Sequence, residues 1–350
     1  MLRLLEGFDH YGDSGRTGTS LDTDLQRRHE GTRIIYGTPD GDLIAGRGGH
    51  GLGLRIQDAD ANNKIWLTRF DASQSDTWIV GFAMKTAPFT TGLITVFASS
   101  DSAQISLYLI EGCLMACGTS WPDPEACNKV LKPNRWYYIE IKMYHHNTAG
   151  TIEVHIDGTA VYSTTGRDTQ HADYTPGSFM LGGVDNNIAF DDIYVCDDTG
   201  SDNNDFLGPI KVETLRPNGD DGSQNWSPSS GANHYELVNS SNLWQVTDYV
   251  EANGANVDDI WTYPNLSKIN ATIHGVQAIA SAWSDSSMPR PLQHICVSGN
   301  TYYSATRGLG IEKDYPMPHD DAVWENDPDT ANAWTANGIN SASFGIRKVA

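Results

Sequence analysis

Apolar and polar residues alternate with a period of two through the first half of the chain. In Thr77–Lys85 the large apolar side chains fall on every second position, and Trp136–Tyr144 repeats the pattern. Successive side chains of a β-strand point to opposite faces of a sheet, so both segments are predicted to be strands with one buried face. Further strands are predicted at Ile105–Ile110, Ser178–Leu181 and Ile188–Cys196.

A hairpin is predicted where a third alternating segment meets a turn dipeptide. Thr151–Asp157 ends in Asp157-Gly158, which favours a two-residue turn before the next strand near Val161. Clusters of Gly, Asn, Asp, Ser and Pro separate the other predicted strands and interrupt regular structure. Many short strands, with one short helix predicted at Leu21–His29, indicate an all-β antiparallel sandwich.

The pattern changes after Gly208. A strand is predicted at Ile210–Leu215, a long polar loop follows it, and the remaining predicted strands are short and isolated. The 350 residues are long for one domain and sufficient for two. We therefore predict a β-sandwich domain over 1–198 and a smaller β-rich domain over 206–350, joined by the acidic segment between them.

Charge and hydropathy exclude two classes of partner. The chain carries 23 Lys and Arg against 44 Asp and Glu, a formal charge of −21. Long-range electrostatics therefore repel a phosphate backbone, and we expect no nucleic-acid partner. No stretch approaches the roughly 20 consecutive apolar residues of a membrane helix, so no membrane insertion is expected. The apolar opening of the chain is also too short for a secretory signal.

The acidic segment between the predicted domains contains the candidate metal ligands. Asp198, Asp202 and Asp205 could supply carboxylate oxygens to calcium, which takes six to eight oxygen ligands. Their spacing does not match the EF-hand loop. The alternative is a solvated turn whose Asp and Asn side chains cap backbone groups, and the sequence leaves both interpretations open.

The five cysteines leave at least one thiol outside any intrachain pairing. Cys117 and Cys127 flank a Pro-containing loop between two predicted strands, where a disulfide could close the hairpin. Free thiols in a reducing cytosol are the alternative. No second Cys or His pair has the spacing of a zinc site.

Aromatic residues in polar stretches are the remaining binding signal. Trp121, Trp226 and Trp261 lie in or beside such stretches, where an exposed ring can stack on a sugar or anchor a protein partner. Core packing is the alternative for each of them. No metalloprotease, nucleophile-elbow or phosphate-loop motif occurs, so neither catalytic residues nor a cofactor are predicted.

Several longer segments resemble a known family. RWYYIEIKMYHH, TIEVHIDGTAVYSTTG, SFMLGG and AFDDIYVCDD follow one another as in concanavalin A-like (laminin G-like) jelly-roll domains. The succession YVCDDTGSDNNDFLGPIKVETLRPNGDDGSQNWSPSSG, YVEANGANVDDIW and DPDTANAWTANGINSASFGIRK is similar to virion structural proteins of tailed bacteriophages. The resemblance extends from about Leu5 to the end of the chain.

The resemblance implies a non-enzymatic virion protein on the particle exterior, in a tail, a neck or collar fibre, or a capsid decoration. Its implied partners are other virion proteins and further copies of itself, with a trimer favoured. It would be made in the host bacterial cytoplasm and reside on the virion surface. The alternative is a lectin-like module that recognises host-surface glycan. The metal loop of legume-type lectins and the acidic strand of the glucanases have no counterpart here, so neither activity is carried over.

Overall fold

The computed structural model describes residues 1–28, 40–57, 65–67, 75–88, 92–99, 102–118, 121, 123–170, 178–182, 187–242, 247–266, 268–284, 291–304 and 317–349. The protein is all-β, as predicted. It divides into two compact units, the first comprising Met1–Asp9 and Asp13–Glu213 and the second comprising His10–Gly12 and Thr214–Ala350. The second unit thus begins later than the predicted position 206, and the acidic segment lies within the first.

The first unit contains fourteen of the strands in the described residues and one helix, α1, at Thr19–Arg28. The strands are β1 Leu2–Glu6, β2 Asp40–Ala45, β3 Leu52–Gln57, β4 Ile65–Leu67, β5 Thr77–Thr86, β6 Gly92–Ser99, β7 Ser102–Ile110, β8 Cys113–Gly118, β9 Glu125–Val130, β10 Trp136–Tyr144, β11 Gly150–Ile156, β12 Thr159–Arg167, β13 Ser178–Leu181 and β14 Ile188–Asp197.

Two antiparallel sheets form a jelly-roll sandwich, which confirms the predicted fold class. The eight-stranded sheet has the order β12-β11-β10-β5-β14-β3-β2, with β1 also paired to β14. The six-stranded sheet has the order β4-β13-β6-β7-β8-β9. Strands β5, β10 and β14 therefore lie in the middle of the eight-stranded sheet, where both of their faces can be covered.

The core lies between the two sheets and is built by the predicted alternation. Phe82 of β5 packs against Phe179 of the other sheet and against Phe190 of β14, with ring centroids 5.9 Å apart in each pair. Ile139 and Val154 point into the same core and are fully buried. Burial of such side chains contributes about 1.5 to 3 kcal/mol each relative to exposure.

The opposite face of β5 is buried as well, which the alternating pattern did not predict. Ile79, Gly81 and Ala83 are inaccessible to solvent although they point away from the core. The face that they share with polar residues of β10 and β14 is covered by other parts of the same unit, as described below.

The predicted hairpin turn at Asp157-Gly158 is confirmed. Ile156 of β11 pairs with Thr159 of β12, so the loop has two residues. Both have positive φ, 50° at Asp157 and 76° at Gly158, the backbone of a type I′ turn. The predicted helix is also present, as α1.

Strand β14 contains a β-bulge that sets the outward face of its sheet. Asp191 lies opposite Ala83 and Tyr194 lies opposite Gly81, so β14 has one residue more than β5 between these pairs. Asp192, in the bulge, has a φ of 50°. The bulge allows the side chains of both Asp191 and Asp192 to approach Arg47.

The second unit contains the remaining eleven strands of the described residues and two short helices. They are β15 Gly219–Gln224, β16 Ser227–Pro228, β17 Val250–Glu251, β18 Val257–Thr262, β19 Val276–Ala282, β20 Leu292–Ser298, β21 Asn300–Tyr303, β22 Met317–Trp324, β23 Asn326–Asp327, β24 Asn332–Ala333 and β25 Ser343–Lys348, with α2 at Tyr235–Val238 and α3 at Ala336–Ser341.

A five-stranded sheet, β15-β18-β25-β20-β21, organises the second unit. One of its faces carries Trp261, Phe344 and Cys296, which belong to two clusters of buried apolar residues. The predicted strand at Ile210–Leu215 is wrong, because these residues form an extended segment outside any sheet. No helix among the described residues is long and apolar enough to cross a membrane.

Replacing Ile139 with Ala should lower the free energy of unfolding by about 2 to 5 kcal/mol, because the substitution leaves a cavity between the sheets. Ile110→Ala is the matched control, since Ile110 is 42% exposed in the same unit. The control should cost less than about 1 kcal/mol. Chemical denaturation followed by tryptophan fluorescence measures both, and equal losses would contradict the assigned core.

Candidate functional site

A row of side chains crosses the eight-stranded sheet on the face turned away from the core, here called the outward face. The strand register places Trp136 of β10 opposite Lys85 of β5, Lys85 opposite Ala189, and Ala189 opposite Arg55 of β3. Arg55 in turn lies opposite Asp42 of β2. The residues that alternate with this row are buried in the core, so the row itself points outward.

Three members of this row are partly exposed and form what we call the open half of the outward face: Trp136, Lys85 and Arg55. The Lys85 ammonium lies 4.9 Å from the centre of the Trp136 ring. Arg55 donates from Nε to Oδ1 of Asp42 at 2.8 Å and from a second nitrogen to Oδ2. The hydrogen bonds with Asp42 raise the pKa of the Arg55 guanidinium, although burial opposes them.

Small residues lie at the centre of the open half. Ala189 occupies the middle of the row, and Gly53 lies two residues before Arg55 on β3 and faces the same way. A Cβ added at Gly53 would lie 3.5 Å from Cη2 of Trp136. Since β10 and β3 are three strand spacings of about 4.8 Å apart, the indole of Trp136 must reach across β5 and β14 towards β3.

The next rows form the covered half of the outward face: Tyr138, Glu140, Asp191, Asp192 and Tyr194, all of which are buried. The Tyr138 hydroxyl donates to the backbone carbonyl of Asp192 at 2.9 Å. The Tyr194 hydroxyl donates to Oε1 of Glu140 at 2.6 Å. A Cβ at Gly81 would lie 2.1 Å from the Tyr194 ring, so the tyrosine lies flat across the place of that missing side chain.

Arg47 forms an ion pair with Asp192 in the β-bulge. Its Nε donates to Oδ2 of Asp192 at 2.7 Å, and its guanidinium lies 5.0 Å from the centre of the Tyr138 ring. Its backbone N–H donates to Oδ2 of Asp191 at 2.7 Å. A Cβ at Gly46 would lie 2.7 Å from that same oxygen, so glycine permits the approach. The Gly-rich stretch from Gly46 is thus a turned connection fixed by the two carboxylates.

Burial shifts the pKa of several groups on the covered half. Burial and the neighbouring charge of Asp192 raise the pKa of the Asp191 carboxyl well above its usual value, against hydrogen bonds from the amides of Arg47 and Asp192. Burial and nearby carboxylates also raise the pKa of Tyr138 and Tyr194. These tyrosines therefore stay protonated at neutral pH and serve as hydrogen-bond donors.

Residues 205–212 lie over the covered half, and we call them the covering segment. The amide of Gly208 donates to Oε1 of Glu140 at 2.8 Å, and the amide of Leu207 donates to the Tyr194 hydroxyl at 3.2 Å. The amide of Val212 donates to Oδ1 of Asp192 at 2.8 Å.

Two side chains fasten the start of the covering segment. The Phe206 ring stacks on His155 with centroids 4.0 Å apart. Asp205 accepts a hydrogen bond from Lys142 at 3.0 Å. Burial alone would raise the pKa of Asp205, but hydrogen bonds from Lys142 and the Phe206 amide lower it.

The predicted calcium ligands are not brought together. Asp198 accepts from Ser75 Oγ at 2.5 Å, Asp202 from Ser201 at 3.2 Å, and Asp205 from Lys142. Among the described residues, no group of three or more His, Cys, Asp or Glu is placed to hold a metal ion. Calcium binding stays a prediction without a shared coordination site.

The backbone of the same loop surrounds a positive charge of the chain. The Met1 amino group donates to the carbonyl oxygens of Asp197, Thr199 and Asn203 at 2.8, 2.7 and 3.2 Å. The side chain of Asp197 is fully buried and accepts from Arg3 Nε at 2.5 Å. The acidic segment is therefore partly an internal ion-pair site, where a hydrated turn was expected.

Two of the three predicted glycan-contacting tryptophans, Trp121 and Trp261, are packed inside their units, which corrects the prediction for these two. Trp121 is 8% exposed, donates to the carbonyl of Asp168 and lies under the Arg167 guanidinium. Trp261 is 8% exposed within an apolar cluster, so neither ring can stack on a sugar. Trp226 is partly exposed, donates to the carbonyl of Val257 and packs against the same cluster, and glycan contact by this ring stays a prediction.

Trp136 is an aromatic residue of this face with surface access. By alternation it belongs to the polar face of β10, so its register was the signal that could have identified it.

The Cys117–Cys127 disulfide is not formed, because all five cysteines are free thiols. Met115 pairs with Ala126, which leaves Cys117 and Cys127 on different rungs of the β8–β9 ladder. Cys117 is partly exposed, whereas Cys127 is fully buried. Burial, together with the nearby Cys113, raises the pKa of Cys127 to about 12, so this thiol is unreactive at neutral pH.

A buried histidine and carboxylate form a second constellation, in the second unit. Nδ1 of His234 lies 2.9 Å from Oδ2 and 3.0 Å from Oδ1 of Asp259. Asp220 accepts from the amides of His234 and Tyr235 at the start of α2. Burial raises the pKa of Asp259 despite the opposing hydrogen bond from His234. The contacts join α2 to β15 and β18, and they explain why this short helix is placed here.

No protein-family model matches the chain, and no curated protein matches it. Among solved structures, it is similar to the endo-β-1,4-glucuronan lyase of the fungus Trichoderma reesei, at 11% identity over 47% of this chain and 91% of that one, with a TM-score of 0.39. It is also similar to the PL-14 alginate lyase of Aplysia kurodai, at 12% identity over 54% of this chain and 98% of that one, with a TM-score of 0.39. The Trypanosoma rangeli sialidase is similar at 15% identity over 46% of this chain and 26% of that one, with a TM-score of 0.30.

These similarities contradict two expectations from the sequence, a bacteriophage structural protein and the absence of enzymatic activity. The structures named above are polysaccharide lyases and a sialidase. The bacteriophage resemblance depended on the longer succession of segments from Tyr194 to Lys348, whereas the short FDDI and DG elements carried the jelly-roll resemblance. Asp191-Asp192 and Asp157-Gly158 serve the fold itself in this structure, and a shared fold does not determine function. At such low identity the similarities concern the fold, so the chemistry must come from this chain's own residues.

Asp191→Asn should change how stability depends on pH. The pKa of Asp191 is raised in the folded state, so its contribution is fully present below the unfolded value of about 4 and is lost as the pH rises through the folded value. Stability of the wild type should therefore fall relative to the variant as the pH rises from about 4 towards neutrality, by at most about 1.4 kcal/mol per pH unit. Urea unfolding across this range measures it, and a constant difference would contradict the burial of this charge.

Proposed function

We propose that the protein is a carbohydrate-active protein that binds an acidic glycan on the open half of its outward face. The observation that carries the proposal is the pairing of the Trp136 ring with the Lys85 ammonium on a partly exposed surface. An indole supplies a flat apolar area for the C–H surface of a sugar ring, and an adjacent cation supplies a partner for its carboxylate.

The open half carries more positive than negative side chains, although the chain as a whole has a formal charge of −21. Its row contains Lys85 and Arg55 beside Asp42, whereas Glu140, Asp191 and Asp192 lie on the covered half. Arg47 and Arg55 are each paired with a carboxylate. Lys85 has no ion-pair partner among the described residues. Lys85 is therefore the cation available to an incoming anion.

Screening by salt determines whether a ligand interacts mainly with the Lys85 ammonium or with the net negative charge of the whole protein. At physiological ionic strength the Debye length is about 8 Å. A carboxylate in contact with Lys85 would interact strongly with that ammonium, while most of the protein's negative charge lies farther away and is screened. Binding should consequently weaken with added salt only moderately, in contrast to the steep salt dependence of a polycation surface.

The ligand class that fits is a polysaccharide of uronic acids or a glycan that ends in sialic acid. Both combine a carboxylate with a sugar ring of the size that an indole covers. Hydrogen-bonding groups beside the ring, such as the Arg55–Asp42 pair, fit the remaining hydroxyls. The proposal concerns recognition of the glycan, and cleavage of the glycan is measured in the same experiment.

Lys85→Gln should raise the Kd for acidic glycan about tenfold, the effect of losing one charge-assisted contact of about 1.4 kcal/mol. Lys129→Gln is the matched control, because Lys129 is exposed on β9 of the other sheet. The control should leave the Kd within about twofold. Isothermal titration with alginate, polygalacturonate and sialyllactose, with dextran as the neutral reference, measures binding, and gel filtration of the products detects cleavage.

Trp136→Ala should abolish measurable binding to the same acidic glycans, because it removes the apolar platform. Its folding is checked by thermal unfolding, since the indole also contacts the position of Gly53. Equal affinity of the wild type, the Lys85 variant and the Lys129 variant would contradict the proposed site. So would binding of dextran with the same affinity as the acidic glycans.

A further inference from the structure

We infer that the covered half of the outward face is a second glycan subsite, which the covering segment occupies in place of sugar hydroxyls. This inference rests on the proposed function and extends it along β10. Trp136 and Glu140 are four residues apart on that strand and on the same face, a distance of about 13 Å. A glycan chain bound at Trp136 could therefore continue over Glu140 once the segment moves.

The contacts of the covering segment are those that a sugar would make. Its amides donate to a carboxylate at Glu140, a hydroxyl at Tyr194 and a carboxylate at Asp192. Sugar hydroxyls are donors of the same kind, and carboxylates that accept from them are common in glycan sites. The segment thus satisfies acceptors that face outward through the backbone amides of Leu207, Gly208 and Val212.

One acceptor remains unsatisfied beneath the segment. Oε2 of Glu140 is buried and has no hydrogen-bond partner among the described residues, although Oε1 accepts two hydrogen bonds. Burying an unpaired carboxylate oxygen is unfavourable. A ligand that donates to Oε2 would therefore supply the hydrogen bond that the segment does not make. This oxygen is the observation that distinguishes an occupied subsite from ordinary loop packing.

The segment is held at its start by contacts that can be removed individually. The Asp205 side chain is 66% exposed in its ion pair with Lys142, and such pairs contribute little to stability. Phe206 stacks on His155, which in turn lies 2.7 Å from Glu153. Gly208 has a φ of 78°, a conformation that allows a sharp change of direction at the centre of the segment.

Asp205→Asn and the double variant Asp205→Asn, Phe206→Ala should loosen the segment and tighten binding of the acidic glycans several-fold. The single variant alters one exposed side chain and provides the test if the double variant does not fold. Asp202→Asn is the matched control, because Asp202 is an exposed aspartate of the preceding loop that accepts a hydrogen bond from Ser201. It should leave the affinity unchanged.

Two further measurements show whether the gain comes from the covered half. Trypsin cleavage after the exposed Lys211, followed by mass spectrometry, should be several-fold faster in the loosened variants and should slow again when acidic glycan is added. Adding Glu140→Gln to the loosened protein should remove the gain in affinity while retaining the faster cleavage.

The outcomes separate the two proposals. If Lys85→Gln weakens binding but the loosened variants bind no more tightly than the wild type, the subsite is overturned and the proposed function stands. A gain that survives Glu140→Gln also overturns the subsite. If no acidic glycan binds any variant, both proposals fall together.

Discussion

The compensation of buried charge on the outward face is the constraint on which the rest of the first unit depends. A carboxylate removed from water is strongly destabilising unless partners replace the lost hydration. Asp192 meets this requirement through the guanidinium of Arg47 and the amide of Val212, whereas Asp191 accepts from the amide of Arg47 and its pKa is raised by burial. These contacts fix the turn from Gly46, the β-bulge of β14 and the end of the covering segment. Three separate parts of the chain are therefore held together by the same two aspartates.

Periodicity predicted the core because hydrophobic burial depends on position along a strand and little else. The alternation in β5, β10 and β11 identified the inward residues, and Asp157-Gly158 identified the hairpin, since both features are local. The outward face could not be predicted in the same way. Glu140 and Tyr138 look like solvent-facing residues of a half-buried strand, yet both are buried by distant parts of the chain, Glu140 by the segment at Gly208 and Tyr138 by Arg47.

The candidate binding residues show the same division between local and non-local information. Trp121 and Trp261 stand in or beside polar stretches, but their rings are buried by parts of the chain that are distant in sequence. Trp136 lies in a predicted strand and was less conspicuous, although its register already placed it on the polar face. The neighbouring cations Lys85 and Arg55 join it only through strand pairing, which requires the topology of the sheet.

The covering segment has a mechanical consequence that follows from its position in the chain. It runs directly into Glu213 and Thr214, where the first unit ends and the second begins. Tension applied from the Thr214 end would load the Val212–Asp192 bond first, then the bond between Arg47 and the Ile210 carbonyl, and the Gly208–Glu140 bond after both. Because the bonds are loaded one after another and do not share the load, the segment would detach from the sheet one contact at a time.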